Sequence, residues 1–103
     1  MPYLGKDYIL GNAGSLCSEK AFGIIWTIEE CRKSFLAIKL MYPDAKNKVR
    51  AIDLGYLSRP KGCFFNLKNK ALYWNPDKKG GSNKNDRQVC NAKGNFFKQF
   101  RQQ

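Results

Sequence analysis

The chain contains no histidine among its 103 residues. With it goes the side chain that most often acts as a general base near neutral pH and that normally activates a cysteine or serine nucleophile. There is no C-x-x-C pair either. Cys17, Cys31, Cys63 and Cys90 have 13, 31 and 26 residues between them. Structural zinc sites use close ligand pairs, because two ligands from one tight turn assemble the tetrahedron at less entropic cost, so the spacing argues against zinc and excludes a C-x-x-C redox motif. Acidic residues are few, and Glu19, Glu29, Glu30 and the five aspartates form no recognisable acid and base pair. The expectation is a non-catalytic protein with no metal and no cofactor. Long apolar runs are missing too. The stretches Phe22 to Ile28 and Phe35 to Tyr42, the second broken by Lys39, fall well short of the roughly 20 residues that cross a bilayer, so no transmembrane segment is expected. The first residues, Met1-Pro2-Tyr3-Leu4-Gly5-Lys6-Asp7, have neither the basic nor the apolar region of a signal peptide. A mature secreted chain with an added methionine would begin the same way.

What is present is positive charge, unevenly placed. The net charge is +11. Residues 1 to 45 hold five basic and five acidic side chains, whereas residues 46 to 103 hold fourteen basic side chains against Asp53, Asp77 and Asp86. The whole excess therefore lies in the second half. Folded onto one side of a domain, it would make a field that steers anionic partners; otherwise it makes a soluble basic surface.

The length suits one domain, expected over residues 1–94, followed by a basic aromatic C-terminal tail at 95–103. So short a chain buries a modest share of its surface, and covalent staples would matter. Two disulfides are expected, each contributing roughly 3 to 4 kcal/mol by loop closure, which places the protein in an oxidising compartment: secreted, or in an organelle lumen. The alternative is four buried thiols in a reduced protein. Spacing alone does not choose among the three pairings. The nested one, Cys17 with Cys90 and Cys31 with Cys63, is favoured because it ties the two ends of the domain together and pins a helix to a sheet.

That helix has the clearest local signal. Thr27-Ile28-Glu29-Glu30 has the capping-box form, and Ile28, Cys31, Phe35 and Ile38 follow at helical spacing, with Leu36 and Leu40 read as widening the stripe. Pro43 ends it, giving a helix over about 28–41. Short strands are expected at Asp7 to Leu10, Ala21 to Trp26, within Val49 to Leu57, and at Arg87 to Asn91. A hairpin joins Cys63 to Leu67 with Ala71 to Asn75 through Lys68-Asn69-Lys70, Asn69 being suited to the left-handed conformation of a tight loop. Asn75 to Asp86 reads as a mobile surface loop. The fold class is α+β, a small antiparallel sheet packed on one main helix and stapled by two disulfides.

Two candidate sites emerge. The first is the basic hairpin and the loop after it: Lys61, Lys68, Lys70, Lys78, Lys79, Lys84 and Arg87, interleaved with Phe64, Tyr73 and Trp74. Basic groups contact phosphate, sulfate or carboxylate, and an exposed aromatic stacks on a ring. The aromatics are more readily read as core, since hairpin aromatics usually pack inward. The second is the tail, where Phe96, Phe97 and Phe100 lie at helical spacing beside Lys93, Lys98 and Arg101, able to dock on a partner or to fold back on the core.

Across Tyr8-Ile9-Leu10, Gly14-Ser15-Leu16-Cys17, Thr27-Ile28-Glu29-Glu30-Cys31, Arg59-Pro60-Lys61-Gly62-Cys63-Phe64, Leu72-Tyr73-Trp74-Asn75 and Val89-Cys90, the sequence resembles short two-disulfide cysteine modules in predicted proteins of dinoflagellates and other microalgae. The resemblance covers most of residues 7 to 91. It implies a compact two-disulfide module and supplies no activity. The strongly basic second half and the aromatic tail depart from that pattern. The functional expectation is a small basic binding module recognising an acidic macromolecule or anionic surface, such as a polyanionic glycan or an acidic protein. An assembly subunit of a larger protein complex in an oxidising lumen comes next, then a membrane-active toxin or antimicrobial protein, and nucleic acid ranks behind these as a partner.

Overall fold

The computed structural model describes residues 3–4, 8–14, 16–17, 23–50, 59–77 and 80–91. Within them the chain runs β1 (Tyr3–Leu4), β2 (Tyr8–Leu10), β3 (Gly23–Ile24), α1 (Ile28–Met41), β4 (Lys46–Asn47), β5 (Gly62–Asn66), β6 (Ala71–Asn75) and β7 (Asp86–Asn91). The α+β class holds, but the sheet is larger than expected and is mixed: seven strands in the order β1-β2-β7-β5-β6-β4, with β3 also paired to β7. Most pairings are antiparallel, whereas β4 runs parallel to β6, which follows from the helix returning the chain along the β6 edge. Two of these strands, β1 and β4, lie where no strand was expected. Each has only two residues, too few for a period-2 pattern to register.

The helix begins at Thr27, whose hydroxyl accepts from the Glu30 amide at 3.2 Å. Only half of the capping box forms. The Glu30 carboxylate accepts from Asn91 Nδ2 at 3.0 Å instead, which ties the helix start to β7. Glu29 and Glu30 in the first turn and Lys39 in the last complement the helix dipole. Cys31, Ser34 and Ile38 form the fully buried face. Ser34 fits there because its side chain is small: its hydroxyl donates to the Cys31 carbonyl at 2.7 Å and lies 3.7 Å from Cys63 Sγ, leaving room for the disulfide. Leu36 and Leu40 do not widen the stripe; they are 77% and 85% exposed. At 3.6 residues per turn they lie about 140° and about 180° around the helix from Cys31, so the sheet cannot reach them.

Alternation splits the sheet into two faces. Towards α1 point Leu10, Cys63, Phe65, Leu72 and Val89, which with Ile25, Cys31, Ile38, Ala45 and Val49 make the main core. Phe65 is the largest of the fully buried side chains and packs on Tyr42 with ring centroids 4.6 Å apart. The disulfide Cys31–Cys63 crosses this layer. The opposite face carries a small apolar cluster, Ile9, Cys17 and Cys90 with Ile24 against it, closed by the disulfide Cys17–Cys90. The two bridges are thus nested, with sequence separations of 73 and 32 residues.

Much of the rest of the opposite face is polar and buried. Asn66, Asn75, Asp86 and Gln88 are nearly or fully inaccessible. They are held by the segment 59–61, which crosses above them. Asn75 Nδ2 donates to the carbonyls of Arg59 and Pro60, Gln88 Nε2 donates to the carbonyl of Lys61, and Gln88 Oε1 accepts from the Cys17 amide. Gly62 then enters β5 at φ +77, and a Cβ there would lie 2.6 Å from the Ile25 carbonyl oxygen, so only glycine fits this crossing. Among the described residues no buried side-chain nitrogen or oxygen lacks a partner.

Candidate functional site

The hairpin positions the site. β5 and β6 pair from Gly62 with Asn75 to Asn66 with Ala71, leaving the four-residue loop 67–70. The left-handed residue of that loop is Lys70, at φ 53, rather than Asn69. Asn69 has a different job: its amide donates to Asn66 Oδ1 at 2.9 Å, closing the turn, and its side-chain nitrogen donates to the Tyr73 hydroxyl at 3.0 Å. Next to the hairpin lies Lys46, whose amide donates to the Lys70 carbonyl and which pairs with Ala71, while the Lys48 amide donates to the Leu72 carbonyl. The turn before β7 abuts the same end, with the Leu67 amide donating to the Asn85 carbonyl.

The topology therefore gathers Lys46, Lys48, Lys68, Lys70 and Lys84 at one end of the sheet. Lys70 is paired with Asp44 at 3.2 Å. That hydrogen-bonded contact holds the Asp44 carboxyl below the usual carboxylate range, against the opposing effect of desolvation. The other four lysines are exposed and have no carboxylate partner among the described residues. Pairing parity puts Lys46 on the polar face of the sheet, with Lys48 two residues on.

On that face Arg59, Phe64, Asn66, Asn69 and Tyr73 line a cavity of about 220 Å³. Phe64 and Tyr73 are cross-strand partners whose rings stack with centroids 5.4 Å apart and planes 20° from parallel. Phe64 is buried and backs the wall; Tyr73 is half-exposed. Arg59 is held from behind. Its Nη1 donates to both oxygens of the fully buried Asp86, at 3.1 and 3.0 Å, and Asn66 Nδ2 donates to the same carboxylate at 2.7 Å.

The remaining expected site residues go elsewhere. Lys61 sits at the other end of the sheet, its Nζ 5.9 Å from the centroid of the exposed Trp26 ring, beside a smaller groove that Trp74 and Pro76 also line. Trp74 faces the main core, where it packs half-buried. Arg87 points to the helix side and donates to the Gly11 carbonyl at 2.7 Å, the Tyr42 hydroxyl at 2.8 Å and the Leu10 carbonyl at 3.4 Å, so its guanidinium is committed to clamping β2 and the end of α1. Lys78, Lys79, Phe96, Phe97 and Phe100 lie outside the described residues, as does most of the strand expected within Val49 to Leu57.

Arg59, Asn66, Asn69, Lys46 and Lys48 are not among the site residues expected from the sequence. Arg59 read as part of a turn, and its partner Asp86 is 27 positions away. The regular polar positions of β5 and β7 were the available signal, since Asn66, Asp86 and Gln88 fall on one face. Among the described residues no group of histidine, cysteine or carboxylate side chains is placed to hold a metal ion, and no helix is long and apolar enough to cross a membrane. Protein-family models, curated proteins and solved structures were compared with the chain, and none matches it.

Proposed function

We propose that this protein is a small, non-catalytic binding module for an acidic partner, working in a secreted or lumenal setting. The observation that carries the reading is the collar of lysines without a carboxylate partner among the described residues, Lys46, Lys48, Lys68 and Lys84, at the end of the sheet that also bears the Arg59–Tyr73 cavity. Like charges left without counter-charges on a rigid surface raise the local concentration of anions and speed their encounter. Two disulfides and the lack of a membrane-crossing helix among the described residues suit that setting. Binding to a polyanion such as dextran sulfate should weaken steeply as salt rises, because the Debye length falls from about 10 Å at 0.1 M to about 3 Å at 1 M. Reversing Lys46, Lys48 and Lys68 together to glutamate should abolish it, while reversing Arg32 and Lys33 on α1 should matter little. Affinity unchanged by salt, or equal losses from the two sets, would remove the reading.

A second reading, an assembly subunit of a larger complex, is favoured by one observation. Leu36 and Leu40 stand bare on the outer face of α1. It calls for Leu36→Glu with Leu40→Glu to abolish incorporation and leave polyanion binding intact.

A further inference from the structure

The cavity on the polar face has more chemistry than a charge collar requires. We infer that it is a subsite for one uronate ring of an acidic polysaccharide, the ring lying on Tyr73 and its carboxylate meeting the outer edge of the Arg59 guanidinium. The inference rests on the proposed function and narrows it to a class of ligand.

Size comes first. At about 220 Å³ the cavity is smaller than the roughly 300–1,000 Å³ that takes a drug-sized molecule, and it suits a single ring. Its wall comes next. Tyr73, backed by the stacked Phe64, presents an aromatic surface on a strand rather than on a loop, fixed by its cross-strand neighbour. Apolar C–H faces of a sugar ring pack on such a surface, and a linear polyanion without rings gains nothing from it.

The polar groups are arranged for a ligand with both hydroxyls and a carboxylate. Tyr73 accepts from Asn69 Nδ2, so its own O–H proton is left to donate, and Asn69 Oδ1 remains to accept. Arg59 uses Nη1 alone on Asp86. Its Nε and Nη2 have no partner among the described residues, and the side chain is 35% exposed. That free edge is a planar two-donor fork, the geometry that a carboxylate meets with two parallel hydrogen bonds. Because Arg59 and Asp86 together are neutral, the attraction for an anion comes from Lys46 and Lys48, and Arg59 supplies orientation.

The test uses the intact, disulfide-bonded chain and three probes: an unsulfated oligogalacturonate, a linear polyphosphate matched to it in charge, and a neutral glucan matched to it in length. The wild type should bind the oligogalacturonate and the polyphosphate, and should bind the glucan at least tenfold more weakly than the oligogalacturonate. Tyr73→Ala should reduce oligogalacturonate affinity about tenfold or more, since losing one ring stack brings a loss of about that size in the comparable case of nucleobases. Arg59→Lys keeps a cation against Asp86, so the fold survives, and removes the fork; it should bring a similar loss. The polyphosphate, which has no ring to stack and no carboxylate to orient, should bind both variants as it binds the wild type. Losses equal for the two polyanions, or an oligogalacturonate affinity untouched by both substitutions, would overturn the subsite and leave the charge collar standing. Failure of the wild type to bind either polyanion would overturn both.

Discussion

On the helix side of the sheet Leu10, Phe65, Leu72 and Val89 pack against Cys31 and Ile38, while on the other side Asn66, Asn75, Asp86 and Gln88 are just as inaccessible but are held by hydrogen bonds. The first face is built from close packing of apolar surface, roughly 1.5–3 kcal/mol for each large side chain taken out of water. The second is built from polar groups that each need a named partner, because an unpartnered one costs about 1–3 kcal/mol. The difference assigns the two faces their work. Packing tolerates any shape that fills the volume, whereas the polar face fixes a particular strand crossing, 59–61, in a particular place. That crossing is what brings Arg59 to the cavity that Tyr73 also lines. The rigid core and the candidate site are therefore two sides of one sheet, and the site lies on the side whose interactions are directional.

The sharpest way to break the comparison is to damage each face and then attempt a repair. Phe65→Ala should cost about 3–5 kcal/mol in urea unfolding, the range for emptying an aromatic site in a core. Arg59→Met should cost a similar amount for another reason, since it leaves the Asp86 charge buried without its ion. Adding Asp86→Asn to Arg59→Met should then recover most of that loss, a coupling of roughly 2 kcal/mol or more, because the buried charge goes too. If the Arg59 and Asp86 effects simply add, the polar face is not the interdependent network described above.

The disulfides come next. By loop closure alone, removing Cys17–Cys90 as paired alanines should cost about 4.5 kcal/mol and removing Cys31–Cys63 about 3.7 kcal/mol. The two bridges belong to different faces, so they should differ more in what they disturb than in how much they stabilise. Loss of the first should weaken oligogalacturonate binding, because Cys17 and Gln88 share a hydrogen bond beneath the 59–61 crossing that carries Arg59. Loss of the second should lower the unfolding midpoint and leave affinity in the folded state unchanged. Parallel titrations on the two variants decide this.

A far smaller effect is expected on the outside of the helix. Leu36→Gln and Leu40→Gln should each shift stability by no more than about 0.5 kcal/mol, the usual range for surface substitutions. A loss above 2 kcal/mol would mean that something covers that face.

How much of this was readable in advance follows the same division. The helix announced itself because Thr27 caps it and Cys31, Phe35 and Ile38 repeat at its period, and the hairpin because two β-prone runs flank a short polar turn. Both signals are local. Leu36 and Leu40 misled because hydrophobicity was counted without tracking angle around the helix. The polar face was opaque for a deeper reason: an asparagine, aspartate or glutamine in an alternating strand ordinarily faces water, and nothing near Asn66 or Gln88 says that a segment will cross above them. Arg59 and Asp86 become meaningful only once β5 and β7 are paired. The lysine cluster was half legible. Composition located the charge in the second half of the chain, but only the parallel pairing of β4 with β6 brings Lys46 and Lys48 beside the hairpin, and only the hydrogen bonds of Arg87 to Gly11, Tyr42 and Leu10 commit that residue to the helix side.

The smallest expected effect tests whether the lysine collar is free or already neutralised. Asp44 and Lys70 form the surface ion pair at the hairpin end, and the contact lowers the carboxyl pKa in the folded state. A depressed folded pKa means that the contribution to stability is complete above the unfolded value and is lost as pH falls through the folded one, below the usual carboxylate range. Near neutral pH the pair is therefore intact and offsets the Lys70 charge. Asp44→Asn should flatten the acid end of the stability curve slightly, and it should raise affinity for dextran sulfate near neutral pH by freeing Lys70 to join Lys46, Lys48, Lys68 and Lys84. The gain should vanish at high salt, where exposed charges are screened. If Asp44→Asn leaves polyanion affinity unchanged at low salt, Lys70 stands outside the contact surface, and the collar closes around the cavity on the β4 side alone.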